Sequence, residues 1–176
     1  MKTLTKIAFS TLLAVSATVA ATSTASAAEA KNWTAPAHKI YAQALSDEIM
    51  ATHPELISVT FHAVPPGLSK VYTMIAGSYP DRIGNPDDPD DVMVIETGVT
   101  ILDSRWHRTK DAIRKFVPMM PLRDATGETI GLLVLAYRNP ANSAFSEMHF
   151  FQEASALRDA LQWKIANREA LFAPVK

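Results

Sequence analysis

Apolar residues recur at helical spacing through residues 34–53, where Ala37, Tyr41, Ala44, Leu45 and Ile49 fall on one face. Thr34 can cap this helix and Pro54 ends it. From Leu56 the period changes to two. Ile57, Val59, Phe61 and Ala63 then alternate with Ser58, Thr60 and His62, which predicts a half-buried strand. Pro65-Pro66-Gly67 is a turn signal, and residues 70–78 predict a second strand paired back on the first as a hairpin. Residues 79–89 carry three prolines, a glycine and several acids, and predict an ordered loop. Asp90 and Asp91 precede Val92, Met93, Val94 and Ile95, as suits a first helical turn with free N–H groups, and Gly98 supplies the stop. A third strand is expected over residues 112–122, at an edge or bulged because of Pro118 and Pro121. After a turn at 123–127, residues 129–137 form the most strand-like segment of the chain. A final helix, capped by Ser143 or Ser146, runs to about Asn167 with Phe150, Ala154, Leu157, Leu161 and Ile165 on one stripe.

Strands joined by tight turns and flanked by helices predict an α+β domain with a mostly antiparallel sheet, not a doubly wound parallel one. The 176 residues divide into a segment 1–27 with the marks of an export signal and a single domain over 28–176. The signal is read from Lys2 and Lys6, the apolar run at 7–21 and the small-residue site Ala25-Ser26-Ala27. That run is too short and too rich in Ser and Thr to span a membrane. Cleavage leaves 15 basic residues against 18 acidic ones, so neither nucleic acid nor an anionic membrane is an expected partner. With no cysteine, the chain has no disulfide, thiolate zinc site, thiol-linked haem or lipid-anchor acceptor. A soluble periplasmic protein is the expectation, without membrane insertion once cleaved.

The element order resembles the PAS-like sensor fold in its extracytoplasmic form, the Cache or PDC domain. Two stretches carry the resemblance. One is Pro121-Leu122-Arg123-Asp124-Ala125-Thr126-Gly127-Glu128-Thr129-Ile130-Gly131 followed by Leu132-Leu133-Val134-Leu135, which looks like the hairpin that closes the sheet of such domains. The other is Ile75-Ala76-Gly77-Ser78 through Asp81-Arg82-Ile83-Gly84 to Asp90-Asp91 and Gly98, similar to the strand, ligand-side loop and short helix of single-Cache periplasmic proteins. The resemblance spans residues 34–137. It implies a central antiparallel sheet with a long N-terminal helix, a short pocket-side helix and a C-terminal helix, and a role in binding or sensing a small molecule without catalysis. The chain departs from the family's usual setting in ending at Lys176 without an output module, so direct transmembrane signalling is not expected of it. The aromatic-rich amino-acid-binding signature of some double-Cache sensors is absent as well.

Arg82 falls where the family's loop lines its pocket, and a guanidinium offers a planar fork to a carboxylate. Tyr72, Met74 and Trp106 are the candidate walls, being polarizable or aromatic groups near strand positions. An anionic carboxylate is the simplest ligand. The run Asp87-Asp88-Pro89-Asp90-Asp91 has the oxygens a hard cation wants, yet Pro89 interrupts it, its spacing is not that of an EF-hand loop, and helix capping accounts for part of it. The five histidines contain no i, i+4 pair. The expectation is therefore no metal, cofactor or catalytic residue. The alternatives are an interaction accessory with a filled pocket, docking on a membrane receptor, transporter or sensor protein, and, third, a haem or metal binder through His62 or His107, or an unrecognised hydrolase. The basic and aromatic cluster at 105–110 reads as a solvated loop whose tryptophan covers the core.

Overall fold

The structure is a computed structural model that describes residues 30–103, 113–140 and 142–175. The segment 1–27 assigned to export lies outside them. Among the described residues the order is α1 (Tyr41–Thr52), β1 (Leu56–Ala63), β2 (Thr73–Gly77), α2 (Pro89–Thr97), β3 (Ile101–Asp103), β4 (Lys115–Arg123), β5 (Thr129–Arg138) and α3 (Glu147–Gln162), with 3-10 turns at Pro80–Arg82 and Glu169–Phe172. The strands form one antiparallel sheet in the order β2-β1-β5-β4-β3. The two hairpins expected from the turn signals, β1–β2 and β4–β5, are both present, and β5 lies beside β1 with Val59 opposite Leu135. This is the α+β architecture that the alternation of periods predicts.

Side-chain alternation splits the sheet into two faces. Val59, Phe61, Phe116, Leu133, Leu135 and Tyr137 point to the face packed under α1 and α3, where Leu45, Ile49, Phe150, Ala154 and Leu161 complete the larger core. Phe150 lies 5.1 Å from Tyr137 and 6.1 Å from Phe116, ring centre to ring centre. Val117, Met119, Leu132 and Ala136 point to the other face and meet Val94 of α2. β1 is thus buried on both faces, where the alternation predicts only one: Ser58, Thr60 and His62 are covered too.

Other departures have local causes. α1 begins at Tyr41 and not at Thr34, so the N-terminal helix has 12 residues, and its N-cap Ile40 has no side-chain cap. The chain ahead of it is instead tied to the C-terminal segment. The Tyr41 N–H donates to the Ala173 carbonyl and the Val175 N–H to the Lys39 carbonyl, both at 2.9 Å, with Ile40 opposite Pro174. β4 is an interior strand, covered on its outer side by the three residues of β3. Its pairing with β5 passes from Phe116↔Tyr137 to Met119↔Val134, stepping over Pro118, which has no N–H to give. α3 stops at Gln162, but Ile165 beyond it is fully buried, so the apolar stripe outlasts the helix. No helix among the described residues is long and apolar enough to cross a membrane.

Candidate functional site

The second face of the sheet forms the wall of a cavity. Ser58, Thr60 and His62 of β1 alternate toward it, Met74 of β2 adds a thioether, and Val117, Met119, Val134 and Ala136 supply an apolar floor. The roof is the segment between β2 and α2. After the Pro80–Arg82 turn the chain runs back alongside residues 72–74. The Gly84 N–H donates to the Met74 carbonyl at 2.8 Å, the Met74 N–H to Asn85 at 3.2 Å, and the Asp87 N–H to Tyr72 at 3.1 Å. The Thr73 hydroxyl also donates to the Asn85 carbonyl. This antiparallel return sets Asp87 over His62 and starts α2 with Asp88, Asp90 and Asp91 at the rim. The space enclosed is about 40 Å³. A water needs about 10–15 Å³ on this measure, so the cavity suits a few waters, an ion or a very small molecule.

A hydrogen-bonded chain begins on its polar side with Thr60 and His62 and ends on Asp87, behind the lining. His62 Nδ1 lies 2.7 Å from Asp87 Oδ1, and His62 Nε2 lies 2.8 Å from Thr60 Oγ1. A carboxylate only accepts, so Nδ1 carries the proton toward Asp87. The Asp87 side chain has no exposed surface, and its second oxygen, Oδ2, has no hydrogen-bond partner among the described residues. Asp91 receives the Asp88 N–H on Oδ2 at 3.2 Å, as expected of a carboxylate in a first helical turn. Burial pulls the His62 pKa down, but the Asp87 hydrogen bond and charge, with Asp91 behind, outweigh it, and the net displacement is upward. Burial pushes the Asp91 carboxyl up to about 6, with help from Asp87 and Asp90 and against the pull of His62.

These two groups set a pH dependence. Asp91 is protonated in the folded chain up to about pH 6 but ionises near 3.8 when unfolded, so its contribution declines as pH rises between those values. The raised His62 pKa contributes below 6.5 and is lost as pH climbs through the folded value. Asp47 and Asp124, whose pKa values are depressed, contribute in full above about pH 4 and do not alter this window. In EDTA-containing buffer the unfolding free energy should therefore fall from pH 5 to pH 8, by on the order of 2 kcal/mol. Urea titrations at the two pH values check it. Asp91→Asn should flatten the difference, and an unchanged difference would remove Asp91 as its source.

The sequence-predicted residues are distributed as follows. Arg82 lines the mouth of the cavity, with its guanidinium 5.7 Å from the Tyr79 ring centre, and Met74 is part of the wall. Among the described residues Arg82 makes no ion pair, although Asp81 is its neighbour in sequence. Tyr72 is not on the wall. Its hydroxyl donates to Glu96 Oε1 of α2 at 2.5 Å, and the residue is not part of the cavity lining. Trp106, His107 and the rest of the cluster at 105–110 lie outside the described residues. The group that sequence reasoning did not assemble is His62 with Asp87 and Asp91, whose ligand-capable atoms all lie within 4.8 Å of one another. Its signal was the run of polar alternates at 58, 60 and 62 in an otherwise apolar strand.

Comparison with known proteins adds little to this geometry. No family profile and no curated protein matches the chain. Similar solved structures include a type II free methionine-R-sulfoxide reductase from Thermoplasma acidophilum, 15% identical over 71% of this chain and 92% of that one, with a TM-score of 0.45. The blue-light absorbing form of the PixJ GAF domain of Thermosynechococcus elongatus is 16% identical over 69% and 84%, with a TM-score of 0.43. A GAF domain from Synechocystis in its photoproduct state is 17% identical over 69% and 90%, with a TM-score of 0.36. The sheet order rests on this chain's own strand pairing.

Proposed function

We propose that this chain is an exported, non-enzymatic binder or sensor of a very small molecule, of the periplasmic Cache kind that its sequence resembles. The observation that supports this reading is the cavity between the sheet and the roof of residues 79–91. It is apolar on one side, polar on the other, and has the Arg82 guanidinium at its mouth. Pockets that recognise small ligands combine such apolar walls with a few placed polar groups. Arg82 is exposed and offers its guanidinium to a carboxylate, while the aspartates at the rim favour a positive charge beside it. A compact carboxylate, alone or with a neighbouring cation, fits both. Periplasmic location belongs to the same proposal and rests on the segment 1–27; N-terminal sequencing of exported protein should begin at Ala28.

The test is a thermal-shift screen of small carboxylates, amines and zwitterions on the parent and on Arg82→Ala. A charge-assisted hydrogen bond contributes about 1.5–3 kcal/mol, so the variant should bind at least about tenfold more weakly at an unchanged circular dichroism spectrum. A parent that shifts with no compound would overturn ligand binding. A variant that keeps every shift would remove Arg82 from the site.

A second reading, an accessory that docks on a membrane protein, has support from one surface. Phe145 and Met148 are exposed where α3 begins, and Leu102 is exposed on the short edge strand β3.

A further inference from the structure

Behind the polar side of the cavity, one carboxylate oxygen, Asp87 Oδ2, has no hydrogen-bond partner among the described residues. We propose that His62, Asp87 and Asp91 form a binding site for one divalent first-row transition metal ion, ligated by His62 Nδ1 and one carboxylate oxygen from each aspartate, with the remaining positions facing the cavity. This goes beyond the ligand reading above, because the ion needs no organic molecule to bind.

The donors are already gathered. Their ligand-capable atoms lie within 4.8 Å of one another, and Nδ1 and Asp87 Oδ1 are 2.7 Å apart. Bonds of about 2.0–2.2 Å to an ion place adjacent donors roughly 3–3.5 Å apart, so shifts of about an ångström or less admit one. The independent sign is Asp87 Oδ2, which is buried with the whole side chain and has no hydrogen-bond partner among the described residues. An ionised oxygen in that position is costly to leave unsatisfied, and a bound cation satisfies it.

The surroundings orient the ligands. With an ion on Nδ1 the imidazole is neutral and its proton sits on Nε2, which can donate to Thr60 Oγ1 at 2.8 Å. Such a hydrogen bond on the distal nitrogen fixes the tautomer and ring orientation of a ligating histidine. The backbone N–H of Asp88 similarly holds Asp91 through Oδ2. Three protein donors leave coordination positions open, and the 40 Å³ beside them accommodates two or three waters. One imidazole among the donors favours a transition ion over Mg²⁺ or Ca²⁺, which prefer all-oxygen sets. Asp88 and Asp90 at the rim add attraction for any dication.

Zn²⁺ is the probe. The whole chain, stripped with chelator and dialysed, is titrated calorimetrically with Zn²⁺ at pH 7.5 in the absence of any organic ligand. One equivalent should bind with micromolar or tighter affinity, Asp87→Asn and Asp91→Asn should each weaken it at least tenfold, and millimolar Mg²⁺ or Ca²⁺ should not compete. The surface pair His149 and Glu153, with Nε2 and Oε1 3.3 Å apart, is the competing explanation, so His149→Gln should leave binding unchanged. Absence of binding, binding that survives both aspartate substitutions, or binding lost with His149 would each overturn the proposal, as would displacement by Mg²⁺ or Ca²⁺. Should the aspartate variants not fold, the ¹⁵N resonances of the parent's histidines decide the matter. Zn²⁺ should move Nδ1 of His62, and a His62 signal unmoved at saturation would overturn the site. The carboxylate screen is run with EDTA, so failure of either reading is visible separately.

Discussion

Gly131→Ala is expected to destabilise the protein by about 3 kcal/mol, the upper end of what overpacking a well-filled interior costs. A Cβ added there would lie 2.3 Å from the His62 carbonyl oxygen and 3.3 Å from the Ala63 side chain. The obstacle is backbone in a neighbouring strand, so no rotamer change relieves it, and β1 and β5 must move apart at the centre of the sheet. Gly127→Ala makes the contrast. Nothing lies within 4 Å of that Cβ, and the penalty there is only backbone strain at φ 93°, about 1 kcal/mol. Urea midpoints of the two variants, compared at equal slope, test the difference. Equal midpoints would mean that the two strands do not approach so closely. Because the displaced carbonyl belongs to His62, any Gly131→Ala protein that folds should also bind Zn²⁺ less well.

Leu161→Ala should cost about 2–5 kcal/mol, the range for truncating a fully buried leucine. Leu161 is 2% exposed and sits in the core under α3 with Phe150 and Ala154, beside Ile165 and Leu171. The deletion removes contacts from the helix, the segment after it and the sheet together. Half-buried Leu157, one turn earlier on the same stripe, should cost less when truncated. Thermal or urea unfolding ranks the two. A Leu161→Ala midpoint equal to the parent's would show that α3 does not pack on the sheet.

Much of this fold is legible in the sequence because it is written in short-range periods. The switch from 3.6 to 2 at Leu56, the turn at 123–127 and the stripe from Phe150 to Ile165 each depend on residues within a few positions of one another. Asp124 shows the strength of such local chemistry: its Oδ1 accepts from the Thr126 N–H and hydroxyl and from the Glu128 N–H, closing the turn before β5. β3 is not legible, because three residues, none of them buried, have neither period nor burial to mark them. The start of α1 is misplaced because its competitor, the C-terminal segment, is over 130 residues away in sequence.

The site divides in the same way. Arg82 and Met74 could be placed from local position in a loop and a strand, whereas Tyr72 could not, since its partner Glu96 is on α2, 24 positions on. His62 meets Asp87 only because residues 84–87 fold back along β2, 25 positions on. In sequence the polar alternates of β1 look like a solvent-facing edge, and the aspartates look like a helix cap. Each reading is locally sound, and only the superposition of the two segments reveals the enclosed carboxylate between them.

The pairing of Lys39 with Val175 around Ile40 and Pro174 has a mechanical consequence. Residues 39–41 and 173–175 run side by side, so a pull between these two segments is borne by two backbone hydrogen bonds loaded in shear or peeled in turn, and not by the sheet. On the N-terminal side a load meets the roof of the cavity before the clasp, because the Asn32 and Trp33 N–H groups donate to the Gly84 carbonyl and Asn32 Nδ2 donates to the Tyr72 carbonyl, so tension there is felt at the binding chemistry.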